Sequence, residues 1–155
     1  MSPAAAVTAT PSVENLILNL TQEIQVRASL DDTFAALLEQ LGPGFDTLEG
    51  QSLSMKLEAW PGGRWYRDLG DTNGHLWGHV QAIKRPTLLE ISGPLFVSYG
   101  AINNVQYRLS KTEGGTLIAF HHFALGAIPD DQRQGMVKGW THILDGVRAR
   151  AEARR

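Results

Sequence analysis

Cysteine is absent from the 155 residues, which removes disulfides, thiolate nucleophiles and thiolate metal sites together and fits a reducing, cytoplasmic setting. Long apolar runs are also missing. No stretch approaches the ~20 residues that span a bilayer, so no membrane span is expected. Residues 1–12, rich in Ala, Thr, Ser and Pro, lack the basic start and continuous apolar core of a signal peptide. They read as a disordered tail ahead of a single domain over residues 13–155. Nor is there an excess of one charge: 16 acidic and 14 basic residues leave a formal net charge of −2. Without a concentrated basic stripe for a phosphate backbone, nucleic acid is a poor partner. The one basic cluster, Arg148, Arg150, Arg154 and Arg155, ends the last predicted helix, where cations complement the helix dipole. No nucleophile elbow, phosphate loop, dinucleotide fingerprint or zinc-helix motif occurs.

What is present is alternation. Leu16, Leu18, Leu20, Ile24 and Val26 face polar partners over residues 15–27, which predicts a first strand with one wet side and a bulge midway. Ser29 then opens a helix carrying Phe34, Leu37, Leu38 and Leu41, which Gly42-Pro43-Gly44 stops. Period two returns from Ser52 to Ala59. The run Trp60-Pro61-Gly62-Gly63-Arg64-Trp65 reverses the chain, because proline gives no amide proton to a sheet and glycine reaches backbone angles other residues avoid. Further strands are predicted over residues 64–69, 75–83, 88–92, 101–110 and 116–123, about seven in all. Connections this short make neighbouring strands antiparallel. The final helix, about residues 130–153, carries Met136, Trp140, Ile143, Val147 and Ala151 along one stripe, with Val137 and Leu144 beside it, to cover the dry face of the sheet. Gly135, Gly139 and Gly146 inside that helix each cost roughly 1 kcal/mol against alanine. They imply either close packing or room left for a ligand.

The segments "PGGRWYRD", "GHLWGHVQAIKRPTLLEIS" and "GGTLIAFHHFALG", followed by Gly139-Trp140 in the terminal helix, occur in the order found in the START-like (SRPBCC) superfamily. In this ordered set the chain resembles the branch related to the activator of Hsp90 ATPase. The resemblance implies an α+β helix-grip (START/Bet v 1-like) fold, a curved antiparallel sheet wrapped around a long C-terminal helix with an apolar cavity between them. It most often implies noncatalytic binding of a hydrophobic small molecule. Relatives also include cyclases, lyases and hydrolases acting on apolar substrates. A co-chaperone-like interaction role is a third possibility, though the chain would match only the C-terminal domain of the Hsp90 activator. A homodimer is compatible with any of these. The resemblance implies no cofactor.

On this frame the ligand-facing candidates are Trp65, Arg67, Tyr107, Phe120, His122, Met136 and Trp140. Tyr107 and Trp140 combine an apolar body with a polar handle. Ile118, Phe120 and His122 share a strand face that leads toward the cavity mouth. His122 is either a half-buried ring bonded to a backbone carbonyl or to Trp140, the commoner case, or a catalytic acid or base. Arg67 shares a face with Trp65 and Leu69. It either anchors an acidic ligand group or snorkels to the rim. Asp68 is a surface charge. Glu90 points away from Leu89 and Ile91, and faces inward only if the register shifts by one. For a metal, His75 and His79 lie too far apart on a strand, roughly 13 Å. His121 and His122 point to opposite faces, and His142 sits on the polar side of its helix. No metal site is expected.

Overall fold

The computed structural model describes residues 4–5 and 12–154. The expected tail over residues 1–12 falls almost wholly outside them. After a short 3-10 turn at Val13–Leu16, seven strands and two helices follow: β1 (Ile17–Val26), α1 (Leu30–Leu41), β2 (Met55–Leu57), β3 (Arg64–Gly70), β4 (Asn73–Lys84), β5 (Leu88–Gly93), β6 (Ala101–Thr112), β7 (Gly115–Gly126) and α2 (Asp130–Ala153). All seven strands form one antiparallel sheet in the order β1-β7-β6-β5-β4-β3-β2. The sheet curves around α2, so the architecture is the α+β helix-grip fold.

β1 pairs with β7 without interruption from Ile17↔Leu125 to Val26↔Thr116, so the bulge expected midway is not there. Gln22 fills the gap in the apolar alternation and turns inward, where its amide donates to Val137 O at 3.1 Å and Thr141 Oγ1 at 3.2 Å on α2. Gln22 stays partly exposed, and its bonds to α2 hold the strand regular where the apolar pattern lapses. The irregularities lie elsewhere, between Trp65 and Tyr66 in β3 and between Val80 and Ala82 in β4. The strand expected over Ser52–Ala59 contracts to Met55–Leu57, since Ser54 has φ +53°, outside the extended region. The connection expected at "GDTNG" is a two-residue hairpin, with Gly70 paired to Asn73 and positive φ at Asp71 and Thr72.

At the Pro61-Gly62-Gly63 reversal, a Cβ on Gly63 would meet Glu58 O at 1.8 Å, so only glycine permits the approach. Arg64 closes the turn with a two-pronged bond to Glu58, both contacts 2.8 Å. Ser29 Oγ accepts from Asp32 N at 3.1 Å and caps α1. Burial strips water from Leu89, Ile91, Val105, Tyr107, Ile118 and Phe120 on the inner sheet face, and from Met136, Trp140, Ile143, Leu144, Val147 and Ala151 on α2. Glu90 keeps the outer face: it sits opposite Gln106, which donates to its carboxylate. No register shift brings it inward. Of the C-terminal arginine cluster, Arg155 lies outside the described residues, and Arg150 does more than face solvent. Arg150 bonds Gln40 Oε1 at 2.7 Å and Gly44 O at 3.1 Å, tying the last turns of α2 to the end of α1.

Candidate functional site

A chain of aromatic rings organises the interior. Tyr107 and Phe120 lie 5.0 Å apart, Phe120 and Trp140 4.8 Å, Phe96 and Trp140 6.2 Å, Trp77 and Phe96 5.7 Å, and Phe45 and Trp77 5.2 Å. Trp65 joins the far end, 5.1 Å from Trp77, and its Nε1–H donates to Leu41 O at 2.7 Å. That bond satisfies one of the carbonyls that the end of α1 leaves without a helical partner.

Within this chain the inner rings are packed on every side and the outer ones face a cavity of about 370 Å³. One wall is the first half of α2, where Asp131, Gln132, Gly135, Met136, Gly139, Trp140, His142 and Ile143 share a face. The opposite wall is the segment after α1, Phe45 to Glu49 with Leu53, and the floor is Trp77 and Phe96. A bridge between Asp46 and Ser52 and a bond from Thr47 N to Gln51 O at 2.9 Å fold this segment into a compact flap. Leu48 at its tip is 56% exposed.

Gly135 and Gly139 explain the room. Outside its own helix, a Cβ on either would meet no atom within 4 Å; Gly135 is exposed at the mouth and Gly139 is half-buried, so the missing side chains leave the wall open from the mouth inward. Gly146 behaves oppositely: a Cβ there would meet Gln40 Oε1 at 2.5 Å, so it is a point of close helix contact.

Of the seven ligand-facing candidates, Met136 and Trp140 line the cavity. Trp65, Tyr107, Phe120 and His122 are buried in the core behind it and do not line it. Arg67 is half-buried outside the lining, opposite Met55 and His75, with its Nε buried and unpartnered. Leu69, expected on the same dry face, is exposed.

His122 is fully buried rather than half-buried, and both ring nitrogens are engaged. The indole Nε1–H of Trp140 can only donate, so Nδ1 of His122, 3.0 Å away, is the acceptor. The ring proton therefore sits on Nε2 and is donated to Asn103 Oδ1 at 2.8 Å, and the Asn103 amide donates in turn to Pro94 O at 3.2 Å. Burial, with a smaller push from neighbouring His121, lowers the His122 pKa to about 4. A neutral ring held at both nitrogens has no free position to take up a substrate proton. Burial also raises the Tyr107 hydroxyl well above its ordinary value, and Tyr107 Oη finds no partner.

The titratable pair on the wall is a different one. His142 Nε2 lies 3.0 Å from Asp46 Oδ1, which also accepts from Gln40 Nε2 at 3.4 Å. The sequence placed His142 on the polar side of its helix and passed over Asp46, Phe45 and Phe96, because all three lie in connections. Large apolar residues in predicted loops, Phe45, Leu48 and Phe96, were the available signal. Among the described residues, no group of three His, Asp or Glu is placed to hold a metal ion. No described helix is long and apolar enough to cross a membrane.

Comparison with known proteins adds the relatives. The family described as Activator of Hsp90 ATPase homolog 1-like protein matches residues 27–152. No curated protein matches the sequence. Among solved structures, the di-domain aromatase/cyclase (ARO/CYC) StfQ from the steffimycin biosynthetic pathway is similar over 92% of this chain, with a TM-score of 0.67 and 16% identity. This chain spans 53% of that protein, about half its length. An uncharacterised protein from Rhizobium leguminosarum has a TM-score of 0.68 and 18% identity over 88% of this chain and 95% of its own. CalU16 from Micromonospora echinospora has a TM-score of 0.56 and 20% identity over 85% and 71%. At these identities the likeness carries the fold alone.

Proposed function

The chain belongs to the Activator of Hsp90 ATPase homolog 1-like family, and from that premise we propose that it binds a hydrophobic small molecule in the cavity between the first half of α2 and the flap after α1. The observation that carries this is the pair of glycines on the cavity wall. Two glycines one turn apart in a helix interior cost roughly 2 kcal/mol against alanine. Close packing does not account for them, since nothing lies within 4 Å of either absent Cβ. A wall kept open at the expense of stability fits a guest.

The volume of about 370 Å³ is near the lower end for small-molecule sites, which suits a compact ligand rather than a long-chain lipid. At ~0.3 kcal/mol per atom, a guest of about 20 non-hydrogen atoms would bind with roughly 6 kcal/mol, a Kd in the tens of micromolar. Thermal unfolding against a panel of lipophilic compounds tests the reading. A ligand at a hundred times its Kd should stabilise by ~2.7 kcal/mol, and Gly139→Leu should abolish the shift. A panel with no saturable shift, or shifts that Gly139→Leu leaves intact, contradicts it.

Catalysis in the same cavity is the second reading, favoured by the His142–Asp46 contact at 3.0 Å on the wall. An imidazole oriented by a carboxylate is suited to proton transfer, and StfQ, on the same fold, is named as an aromatase/cyclase. On this reading the acid or base is His142 in place of His122, and Arg67 has no part in the lining. Turnover of any ligand found by the thermal screen, lost in His142→Gln with binding retained, would favour it.

A further inference from the structure

The charges around the cavity are of one sign. Asp46, Glu49 and Asp131 line it, and no lysine or arginine does. Among the described residues Glu49 and Asp131 form no ion pair, and the Asp46 contacts with His142 and Gln40 both fall on Oδ1. The walls between these carboxylates are the four outer aromatic rings, Phe45, Trp77, Phe96 and Trp140. Aromatic faces carry negative potential and attract cations. Glu49 and Asp131 are exposed at the mouth and Asp46 is half-buried, so their charge adds to that field most at low ionic strength and repels anions. Resting on the reading that the cavity is a binding site, we infer that its ligand is a hydrophobic cation, an apolar or aromatic body bearing a protonated amine or quaternary ammonium, and that carboxylic acids are rejected. Of the two alternatives for Arg67, an anchor for an acidic group or a side chain snorkelling to the rim, the anchor is set aside, because Arg67 lies outside the lining while the carboxylates lie within it.

Three probes with one body and different heads test the inference: 4-phenylbutylamine, 4-phenylbutanol and 4-phenylbutanoate. Each is titrated into the full chain at pH 8 and low ionic strength, with the fluorescence of the wall tryptophans as readout. The amine should bind at least tenfold more tightly than the acid, with the alcohol between them. The Glu49→Gln/Asp131→Asn double variant should cut the amine-to-acid ratio at least threefold. Added salt should compress the ratio in the wild type. Equal saturable binding of all three, tighter binding of the acid, or a ratio indifferent to the double variant overturns the inference while leaving the binding reading in place. No binding by any of the three, the alcohol included, overturns both.

Discussion

Alanine at the helix glycines separates room kept for a ligand from room absent through packing. At Gly139 the new methyl meets nothing within 4 Å, so no repulsion offsets the helix preference of alanine over glycine. The expected result is a gain of about 1 kcal/mol, which for a chain of this length raises Tm by roughly 2–4 °C. Gly135→Ala should behave alike, for the same reason. Gly146→Ala should not. Its methyl would lie 2.5 Å from Gln40 Oε1, and Gln40 is buried and holds Arg150 Nε at 2.7 Å. Displacing that amide sacrifices a hydrogen bond to a charged group, about 1.5–3 kcal/mol, which exceeds the propensity gain and leaves a net loss of roughly 1 kcal/mol. Urea unfolding of the three variants beside the wild type gives both signs with one protocol. A loss of stability in Gly139→Ala, or a gain in Gly146→Ala, would refute the reasoning about which glycines border empty space.

Three further outcomes follow from the buried polar groups. The His122 pKa is depressed from 6.5 to about 4, so at pH 8 the ring adds nothing to the pH dependence. As pH falls below 6.5 the unfolded chain takes up a proton that the folded chain refuses, and stability should drop by about 3 kcal/mol by pH 4, then level off. Unfolding of wild type and His122→Gln across that window should show the wild type losing ground to the variant; parallel curves would contradict the assigned burial. Trp140→Phe removes the donor to His122 Nδ1 and leaves a buried acceptor unpaired, a loss of about 1–3 kcal/mol measurable in urea. Tyr107→Phe should be neutral or gain up to about 1 kcal/mol, because the hydroxyl it removes is buried without a partner; a clear loss would mean that the hydroxyl is satisfied.

The sheet was legible because its signal is local. Period-two alternation marks each strand, and short connections force antiparallel neighbours, so seven strands and the capping role of α2 follow from spacing alone. Irregularities were less accessible. Gln22 interrupts the apolar pattern of β1 and suggests a bulge, yet it is accommodated by partners on α2, more than a hundred residues away. The candidate site was half legible. Met136, Trp140 and the two open glycines lie on a helix whose face can be counted, and they line the cavity. Trp65, Tyr107, Phe120 and His122 share the inward direction but sit at a depth that alternation does not encode. Depth depends on how far α2 stands from the sheet at each point. There Trp65 caps α1 and His122 is clasped between Trp140 and Asn103. Phe45, Asp46 and Phe96 reach the cavity from connections whose path no periodicity predicts.

The central claim is that the space beside Gly135 and Gly139 receives an apolar guest. Its most direct measurement is titration of the uncharged fluorophore N-phenyl-1-naphthylamine into wild type and into Gly139→Leu, whose added side chain would extend into that space. The account predicts saturable enhancement at one site per wild-type chain, and loss of that enhancement in Gly139→Leu with folding retained. Equal enhancement in both proteins, or none in the wild type, would contradict it.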